Sequence, residues 1–562
     1  MRCVKVILIC LALFFLSGTL HAQYTKYVIR FTNKAGTPYS LSNPIAYLSQ
    51  RSIDRRIREH IAIDSTDLPV NPSYLDSVRL AGNVKILDVS RWLNQVCIET
   101  TDSVALVKIN SFPFVIMSTP VMKPAGINTF FNNKFNEQLT SANSQAMTNG
   151  TSGYYDYGNA AGQINIHHVD YLHNLGFHGE GMLIAMLDAG YYHYLSIPAF
   201  DSMRANHQVL ETFNFVTNSD SVNEDYFHGM SCLSEIASNL PGVMVGAAPK
   251  SDFCLYVSED VSSESPVEEQ YWAAAAERAD SLGADVISTS LGYSTFDNPA
   301  LNHSYSDMNG HTTIAAMAAG LAAKKGIIVV VAAGNEGNSP WHYLTTPADA
   351  DSILSVGAVD QTGTSASFSS YGPSSDGRVK PEVAAVGKGA AIIYTNGSVI
   401  SGGGTSFATP TIAGLVTCLW QAFPDFTNMD IIRAVERSCP TYLTPDDRRG
   451  YGIPDFEVAY KDLAQQRALR NADSLLGTDW IKVYPNPFSG SFQVILKPSY
   501  SATGTLRLYD ALGRLYESLP VTALQGQPQI VNFENKQPLQ KGFYILKYED
   551  DHVHRSFSLI GK

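Results

Sequence analysis

The sequence has too few basic residues for a nucleic-acid-binding protein. Its 562 residues carry 39 Lys and Arg against 52 Asp and Glu, a formal net charge of −13. Because phosphate binding needs a basic face, this balance argues against nucleic-acid partners. Charged residues make up only 16% of the chain and hydrophobic residues 45%, which is typical of folded domains and not of disorder. The length predicts several domains.

Long apolar runs are also missing after residue 22. The most apolar later stretch, residues 314–333, is interrupted by Lys324 and Lys325. The N-terminus differs, because a basic start precedes an apolar core at residues 6–16, and the stretch that follows ends on a small residue, Ala22. This pattern predicts a secretory signal peptide over residues 1–22. The core is too short to span a bilayer comfortably.

Cysteine is scarce, and its spacing matches no metal-binding pattern. Two of the seven cysteines, Cys3 and Cys10, belong to the signal peptide. Export permits disulfides, yet Cys232 and Cys418 fall in apolar helical stretches, where buried free thiols are common. The sequence assigns no cysteine pairs.

The pattern of the remaining chain predicts three domains and two linkers. Residues 23–121 are typical of a small α+β domain, and the polar residues 122–161 predict a linker with a processing site. In residues 162–464 apolar strands alternate with helices, which predicts an α/β domain with a parallel sheet. Residues 465–480 form a second linker, and the short strands of residues 481–562 predict a small β-sandwich.

The stretch around Ser406 carries the strongest chemical signal. It reads Gly404-Thr405-Ser406-Phe407-Ala408-Thr409-Pro410, and an apolar helix pattern follows at once. A serine at a helix N-terminus lies beside free N–H groups and the positive end of the helix dipole. That position suits a nucleophile whose reaction creates an oxyanion. The competing interpretation is that Thr405 or Ser406 is simply an N-cap.

Further polar residues stand where predicted strands stop, which is where open parallel sheets bind ligands. Asp188 ends one strand, Ser290 follows a second, and Asn335 follows a third. His228 opens a helical run. Each alone is also typical of a cap or a turn. Their joint occurrence in the order Asp, His, Ser favours a catalytic triad.

Together these motifs resemble the subtilisin-like serine proteases, peptidase family S8, over about residues 162–464. The order Asp, His, Ser is the order of subtilisin. The resemblance implies a three-layer sandwich around the parallel sheet. The motifs that carry it are Ala185-Met186-Leu187-Asp188-Ala189-Gly190, His228-Gly229, Gly246-Ala247-Ala248-Pro249, Ser290-Leu291-Gly292, Ala332-Ala333-Gly334-Asn335 and the Ser406 stretch.

The resemblance also implies residue roles. Ser406 would be the nucleophile, His228 its base, and Asp188 the group that orients the imidazole. The side-chain amide of Asn335 would form the oxyanion hole with the backbone N–H of Ser406. The implied function is that of a secreted serine endopeptidase acting on proteins or peptides, expected to be a monomer.

The resemblance makes Ser290, Leu291 and Gly292 the substrate-binding segment, pairing with the substrate backbone. It implies no required cofactor. Calcium is common in the family, but the acidic stretches match no calcium-loop spacing, so calcium ligands are unknown and no metal residue is assigned. A cluster of acidic residues would either favour substrates with basic residues or form a solvated loop. Its members are Glu259, Asp260, Glu264, Glu268 and Glu269.

The sequence departs from the family pattern in two places. Ala189 replaces the Thr or Ser that usually follows the catalytic Asp, and Gly229-Met230-Ser231 replaces the usual Gly-Thr-His. The alternative function is therefore a catalytically inactive surface or adhesion protein on the same fold. An aminopeptidase or maturation protease of narrow specificity within the same fold is a third hypothesis. By its position, the domain at residues 23–121 looks like an inhibitory propeptide.

The last domain resembles the C-terminal sorting domain of the type IX secretion system of Bacteroidetes. This resemblance implies export through the periplasm and outer membrane, a secreted or cell-surface location, and the secretion machinery as a partner. A carbohydrate-binding or adhesive β-domain is the alternative. The matching residues are Tyr484-Pro485-Asn486-Pro487, Leu508-Tyr509-Asp510, Gly513-Arg514 and Gly542-Phe543-Tyr544.

Overall fold

The computed structural model describes residues 24–123, 135, 137–141, 153–223, 226–533 and 539–562. The predicted signal peptide lies outside these residues, as does most of the predicted first linker. The chain divides into two compact units, Met1–Ala459 and Tyr460–Lys562. Over the described part of the chain, no helix combines the length and apolarity needed to cross a membrane.

The first described domain is a four-stranded antiparallel sheet with strand order β2-β3-β1-β4. Alternate residues point to opposite faces: Ile29 and Ile98 pack against the domain's own helices, whereas Val28 and Cys97 pack into the core of the following domain. The elements are β1 Lys26–Phe31, α1 Gln50–Arg58, α2 Pro72–Arg79, β2 Lys85–Ser90, β3 Gln95–Glu99, α3 Ser103–Asn110 and β4 Val115–Met122.

Buried ion pairs fasten this domain to the next one. Arg55, Arg56 and Arg91 all contact the carboxylate of Asp280, with N–O distances of 2.8 Å from Arg56 and 2.7 Å from Arg91. Asp280 is fully buried. Removing one partner of a buried pair leaves an uncompensated charge. Loss of any of these contacts should therefore weaken the docking of the first domain on the second.

The second described domain is built on a seven-stranded parallel sheet, with strand order β14-β13-β12-β11-β6-β10-β7. Its central strand β6 is buried along its whole length, as expected for a strand covered on both faces. The elements are β5 Gln138–Ser141, α4 Ala161–Asn165, α5 Val169–Asn174, β6 Leu183–Asp188, α6 Asp201–Ala205, β7 Val209–Asn214, α7 His228–Ala237, β8 Asn239–Leu240, β9 Met244–Val245, β10 Asp252–Val257, α8 Val267–Leu282, β11 Val286–Thr289, α9 Ile314–Lys324, β12 Ile328–Ala332, β13 Leu354–Val359, β14 Val383–Val386, β15 Lys388–Ile393, β16 Val399–Gly403, α10 Thr405–Ala422 and α11 Asn428–Arg437.

The cysteines of the described residues are free and buried, namely Cys97, Cys232, Cys254, Cys418 and Cys439. This agrees with the expectation of buried thiols for Cys232 and Cys418. Burial raises the pKa of the Cys232 and Cys254 thiols to about 12, so neither is a ready thiolate.

The C-terminal unit is a β-strand region preceded by the helix α12. Its strands form two antiparallel groups, β17-β18-β21 and β20-β19-β22-β23, joined where Phe488 of β17 pairs with Gly561 of β23. Both groups contribute to one apolar core, which includes Val494 and Leu546. The elements are α12 Phe456–Leu476, β17 Ile481–Ser489, β18 Ser491–Leu496, β19 Ala502–Asp510, β20 Leu515–Ala523, β21 Gln529–Phe533, β22 Gly542–Glu549 and β23 His554–Gly561.

Candidate active site

The candidate residues gather at the carboxyl edge of the parallel sheet. Asp188 is the last residue of β6, Ser290 directly follows β11, and Asn335 follows β12. His228 is the first residue of α7, and Ser406 lies in the first turn of α10. The side chains therefore come from different elements that meet at one edge, as expected for a site in a parallel sheet.

Asp188 and His228 form a buried hydrogen-bonded pair. The distance between Asp188 Oδ1 and His228 Nδ1 is 2.6 Å, and both side chains are almost fully buried. The close approach requires glycine at position 229, because a Cβ there would lie 2.8 Å from Asp188 Cβ and 2.6 Å from the Gly190 carbonyl oxygen. Gly229 thus lets α7 bring His228 against the end of β6.

The carboxylate of Asp188 is only partly satisfied. Its Oδ1 also accepts the backbone N–H of Ala189 at 2.7 Å, whereas Oδ2 has no hydrogen-bond donor among the described residues. The sequence has no hydroxyl side chain at position 189, where the subtilisin-like proteases that it resembles usually have Thr or Ser. The departure at Ala189 therefore has a structural counterpart in an unpaired carboxylate oxygen.

Ser406 lies inside helix α10 and is not its N-cap. Gly404 occupies the cap position and makes no side-chain cap bond, so the N-cap interpretation of Thr405 or Ser406 is wrong. The Ser406 carbonyl oxygen accepts hydrogen bonds from Ser290 Oγ at 2.8 Å and Cys232 Sγ at 3.4 Å. Ser406 Oγ in turn donates a long hydrogen bond, of 3.4 Å, to the carbonyl oxygen of Ser290.

Asn335 is fixed beside the start of α10. Its Oδ1 accepts the backbone N–H of Thr405 at 2.8 Å and the Thr405 hydroxyl at 3.0 Å. This fixes which end of the amide faces Thr405 and leaves Nδ2 near Gly404, 3.5 Å from where a Cβ on that glycine would lie. A side-chain N–H donor thus stands next to the helix N-terminus that carries Ser406.

The expected substrate-binding segment, residues 290–292, lies beside Ser406. Ser290 and Leu291 are buried, and Ser290 contacts Ser406 through the two hydrogen bonds described above. Gly292 lies against Thr345, whose Oγ1 would be 2.0 Å from a Cβ at position 292. The structure therefore brings all the candidate residues to one edge of the sheet.

The sequence analysis missed Glu137. Its Oε1 lies 2.7 Å from His228 Nε2, and only 4% of its side chain is exposed. The following residues form β5, which pairs antiparallel with β16, the strand that leads into Gly404. The Phe135 ring stacks on the His228 imidazole with centroids 4.1 Å apart. These residues fall in the Asn- and Ser-rich stretch that was predicted to be a linker, and only the short run Gln138-Leu139-Thr140 hinted at a strand.

The environment of His228 favours its charged form. Burial alone would lower its pKa, but the charges of Asp188 and then Glu137 outweigh burial and hold the pKa well above the usual range. The nearby Glu235 is fully buried, and burial together with the charge of Glu137 raises its pKa well above the usual range.

The acidic residues near the site do not form a solvated loop. Glu259, Glu268 and Glu269 are buried, and Glu259 accepts a hydrogen bond from the Tyr293 hydroxyl at 2.9 Å. The two oxygens of Glu268 accept the backbone N–H groups of Asp260 and Ser265. The carboxylates of Glu259, Glu264 and Glu268 lie within 4.8 Å of one another.

Comparisons with known families agree with this geometry. The profile of the subtilase family matches residues 133–454, which contain every candidate site residue. The profile of the peptidase S8 propeptide domain of Bacteroidota matches residues 26–147. The profile of the secretion system C-terminal sorting domain matches residues 482–560, which favours sorting over an adhesive role for the tail.

Individual relatives support the same assignment. The thermostable alkaline protease of Halalkalibacterium halodurans is 30% identical over 283 residues, which cover 50% of this chain and 68% of the relative. The subtilisin of Bacillus pumilus is 30% identical over 292 residues, covering 51% of this chain and 94% of the relative. Subtilisin BL of Lederbergia lenta is 28% identical over 289 residues, with 51% and 93% covered.

The predicted fold class is confirmed: a subtilisin fold with a parallel seven-stranded sheet follows a propeptide domain and precedes a β-strand tail. The sorting tail indicates type IX export to the cell surface or beyond it. The comparisons do not favour the inactive adhesion protein. The chain belongs to the subtilase family and is a serine endopeptidase made with a Bacteroidota-type propeptide domain.

Proposed function

We propose that this protein hydrolyses peptide bonds of exported or extracellular proteins through Asp188, His228 and Ser406, with Asn335 in the oxyanion hole. The observation that carries the proposal is the buried 2.6 Å contact between Asp188 and His228 beside the N-terminus of the helix that holds Ser406. Ser406 Oγ is a weak nucleophile unless a base removes its proton, and His228 is the base within this group of residues.

In the proposed reaction, Ser406 Oγ forms a bond to the substrate carbonyl carbon while its proton passes to His228 Nε2. Asp188 accepts the Nδ1–H of the imidazole, which fixes the tautomer and stabilises the imidazolium. The carbonyl electron pair moves to oxygen, and the resulting oxyanion accepts hydrogen bonds from Asn335 Nδ2 and the Ser406 backbone N–H. The C–N bond then breaks as His228 gives its proton to the leaving amine, and water repeats the sequence on the acyl-enzyme.

Ser290, Leu291 and Gly292 would pair with an extended substrate backbone, as in other cases where a peptide adds a strand to a protein. The buried side chains of Ser290 and Leu291, the exposed backbone of Gly292 and the contact of Ser290 with Ser406 support this role. The proposed partners are protein or peptide substrates and, for the tail, the secretion machinery. The protein is proposed to act as a monomer that requires no cofactor.

A serine-directed fluorophosphonate tests this assignment. The full chain is incubated until its N-terminal domain is shed, then labelled and mapped by peptide mass spectrometry. We expect the label on Ser406, no label in Ser406→Ala, and much slower labelling in His228→Gln, because that variant lacks the base. A processed wild-type chain that takes no label, or takes it elsewhere, contradicts the proposal and favours the alternative of an inactive adhesion protein.

Substituting Asn335 tests the oxyanion hole separately. In Asn335→Leu the Nδ2 donor is lost, and we expect kcat to fall by about 10²–10³-fold with little change in KM, as for the corresponding asparagine of subtilisin. Steady-state kinetics on a peptide substrate measure the change. Asn396→Leu is the control, because Asn396 is exposed in the turn between β15 and β16. A rise in KM with an unchanged kcat would instead place Asn335 in substrate binding.

A further inference from the structure

We propose that Glu137 is a chemical lock on the catalytic base, which keeps the chain inactive until Glu137 leaves His228 Nε2. The proposal rests on the function assigned above to His228 and Ser406. Nε2 is the nitrogen that must receive the proton of Ser406, and Glu137 Oε1 already engages it at 2.7 Å. The lock differs from simple coverage of a cleft because it acts on the proton-accepting atom itself.

Glu137 is held in place by its neighbours along the chain. Four residues of β5 pair with β16 in register, from Gln138 opposite Gly403 to Ser141 opposite Ile400. The Glu137 Cγ lies 3.2 Å from where a Cβ on Gly404 would be, so a side chain at position 404 would crowd it. Together with the stacked ring of Phe135, these contacts position the carboxylate from both sides along the chain.

Glu137 blocks His228 Nε2 whichever of the two groups carries the proton that they share. If Glu137 is ionised, it can only accept, so Nε2 carries a proton and the imidazole is a cation that cannot act as a base. If Glu137 is protonated, it donates to Nε2 and occupies the same lone pair. In both cases the carboxyl group takes the only acceptor site that Ser406 could use, since Nδ1 belongs to Asp188.

The charges around His228 reinforce the lock. Among the residues that the structure describes, the ionisable groups that interact with it are all acids: Asp188 from β6, Glu137, Cys232 and Glu235 from α7, and Tyr226. Two carboxylates thus oppose one imidazole in a buried site, and the pKa of His228 is held well above its usual range. The positive charge on the imidazole is stabilised from both nitrogens.

The position of Glu137 in the chain has a consequence for activation. It lies between the propeptide sheet and β5, and the family profiles of propeptide and protease overlap at residues 133–147. A cut on the N-terminal side of Glu137 releases the propeptide domain but leaves the carboxylate attached to β5. Full activation therefore requires a cut after Glu137 or the separation of β5 from β16, which a pairing of only four residues allows.

Initial fluorophosphonate labelling of the uncut chain tests the lock. The variants are Glu137→Ala, Glu137→Gln and the control Glu99→Gln, which makes the same change at a solvent-exposed side chain at the end of β3 in the propeptide sheet. We expect Glu137→Ala to label about 10²-fold faster than the wild type, the lower end of what a freed general base contributes. Glu99→Gln should match the wild type. Equal rates in all four chains overturn the lock.

The pH dependence separates a lock from a merely structural role. Labelling rises with pH as His228 loses its proton, and removing the negative charge at position 137 lowers the pKa of His228. The midpoint of labelling should therefore lie at a lower pH in Glu137→Gln than in the wild type. Carbon-13 NMR of labelled histidines in the Ser406→Ala background measures the same shift without catalysis. An unchanged midpoint in both measurements overturns the proposal.

Mass spectrometry of the processed protein supplies the last arm. Every species that takes the label rapidly should either begin after Glu137 or have β5 detached from β16, which exposes residues 138–141 to limited proteolysis. A rapidly labelled species that retains Glu137 and keeps residues 138–141 protected overturns the lock. Failure of the proposed function gives a different result, since no variant and no processed species would then label at Ser406.

Discussion

Replacing Ser406 by alanine is expected to lower kcat by about 10⁶-fold, the loss seen when the nucleophile of a subtilisin is removed. The change deletes one oxygen, whose only hydrogen bond within the described part of the chain is the long one to the Ser290 carbonyl. The fold should therefore be unaffected, and the loss should come from the chemistry alone. Single-turnover hydrolysis of a chromogenic peptide by the processed protein measures it, with circular dichroism to verify folding.

Ser288→Ala is the matched control for this prediction. Ser288 is also buried, lies in β11 two residues before Ser290, and has an Oγ without a hydrogen-bond partner among the described residues. Its loss should leave kcat unchanged. A rate retained in Ser406→Ala would require another nucleophile. Cys232 cannot easily take this place, because its Sγ lies 4.0 Å from Nδ1, the nitrogen already engaged by Asp188.

The sequence was sufficient to predict the candidate site because its residues follow local rules. Asp188 and Asn335 stand where buried strands stop, and Ser406 stands where a glycine run meets an apolar helix. These features are readable over a few residues and fix which edge of the sheet the side chains share. The predicted alternation of apolar strands and helices is also observed, as where α8 at Val267–Leu282 lies between β10 and β11.

The sequence could not predict contacts that depend on tertiary register. Glu137 and His228 are 91 residues apart, and the composition around Glu137 is that of a linker. Only the pairing of β5 with β16 places the carboxylate on the imidazole. The buried Glu259 and Glu268 were misjudged for a related reason, because an acidic loop is expected to be solvated unless tertiary partners such as Tyr293 accommodate it.

Replacing Asp188 by asparagine is expected to lower kcat by about 10⁴-fold while the geometry of the site is kept. The amide introduced by Asp188→Asn presents either an oxygen that still accepts from Nδ1 or an NH₂ group that donates to it. Only the charged carboxylate both fixes the tautomer and stabilises the imidazolium formed in the reaction. Steady-state kinetics of the processed protein measure the loss. Asp252→Asn is the control, because Asp252 begins β10 at the opposite end of the sheet.

The pH profile of Asp188→Asn distinguishes electrostatic support from simple positioning. The charge of Asp188 raises the pKa of His228 more than any other single group does. Without it the imidazole loses its proton at lower pH, so the midpoint of kcat/KM should shift to lower pH even as the rate falls. A loss of rate with an unchanged midpoint would mean that Asp188 only orients the ring. A rate within about ten-fold of the wild type would remove Asp188 from the mechanism, since ten-fold amounts to only about 1.4 kcal/mol of transition-state stabilisation.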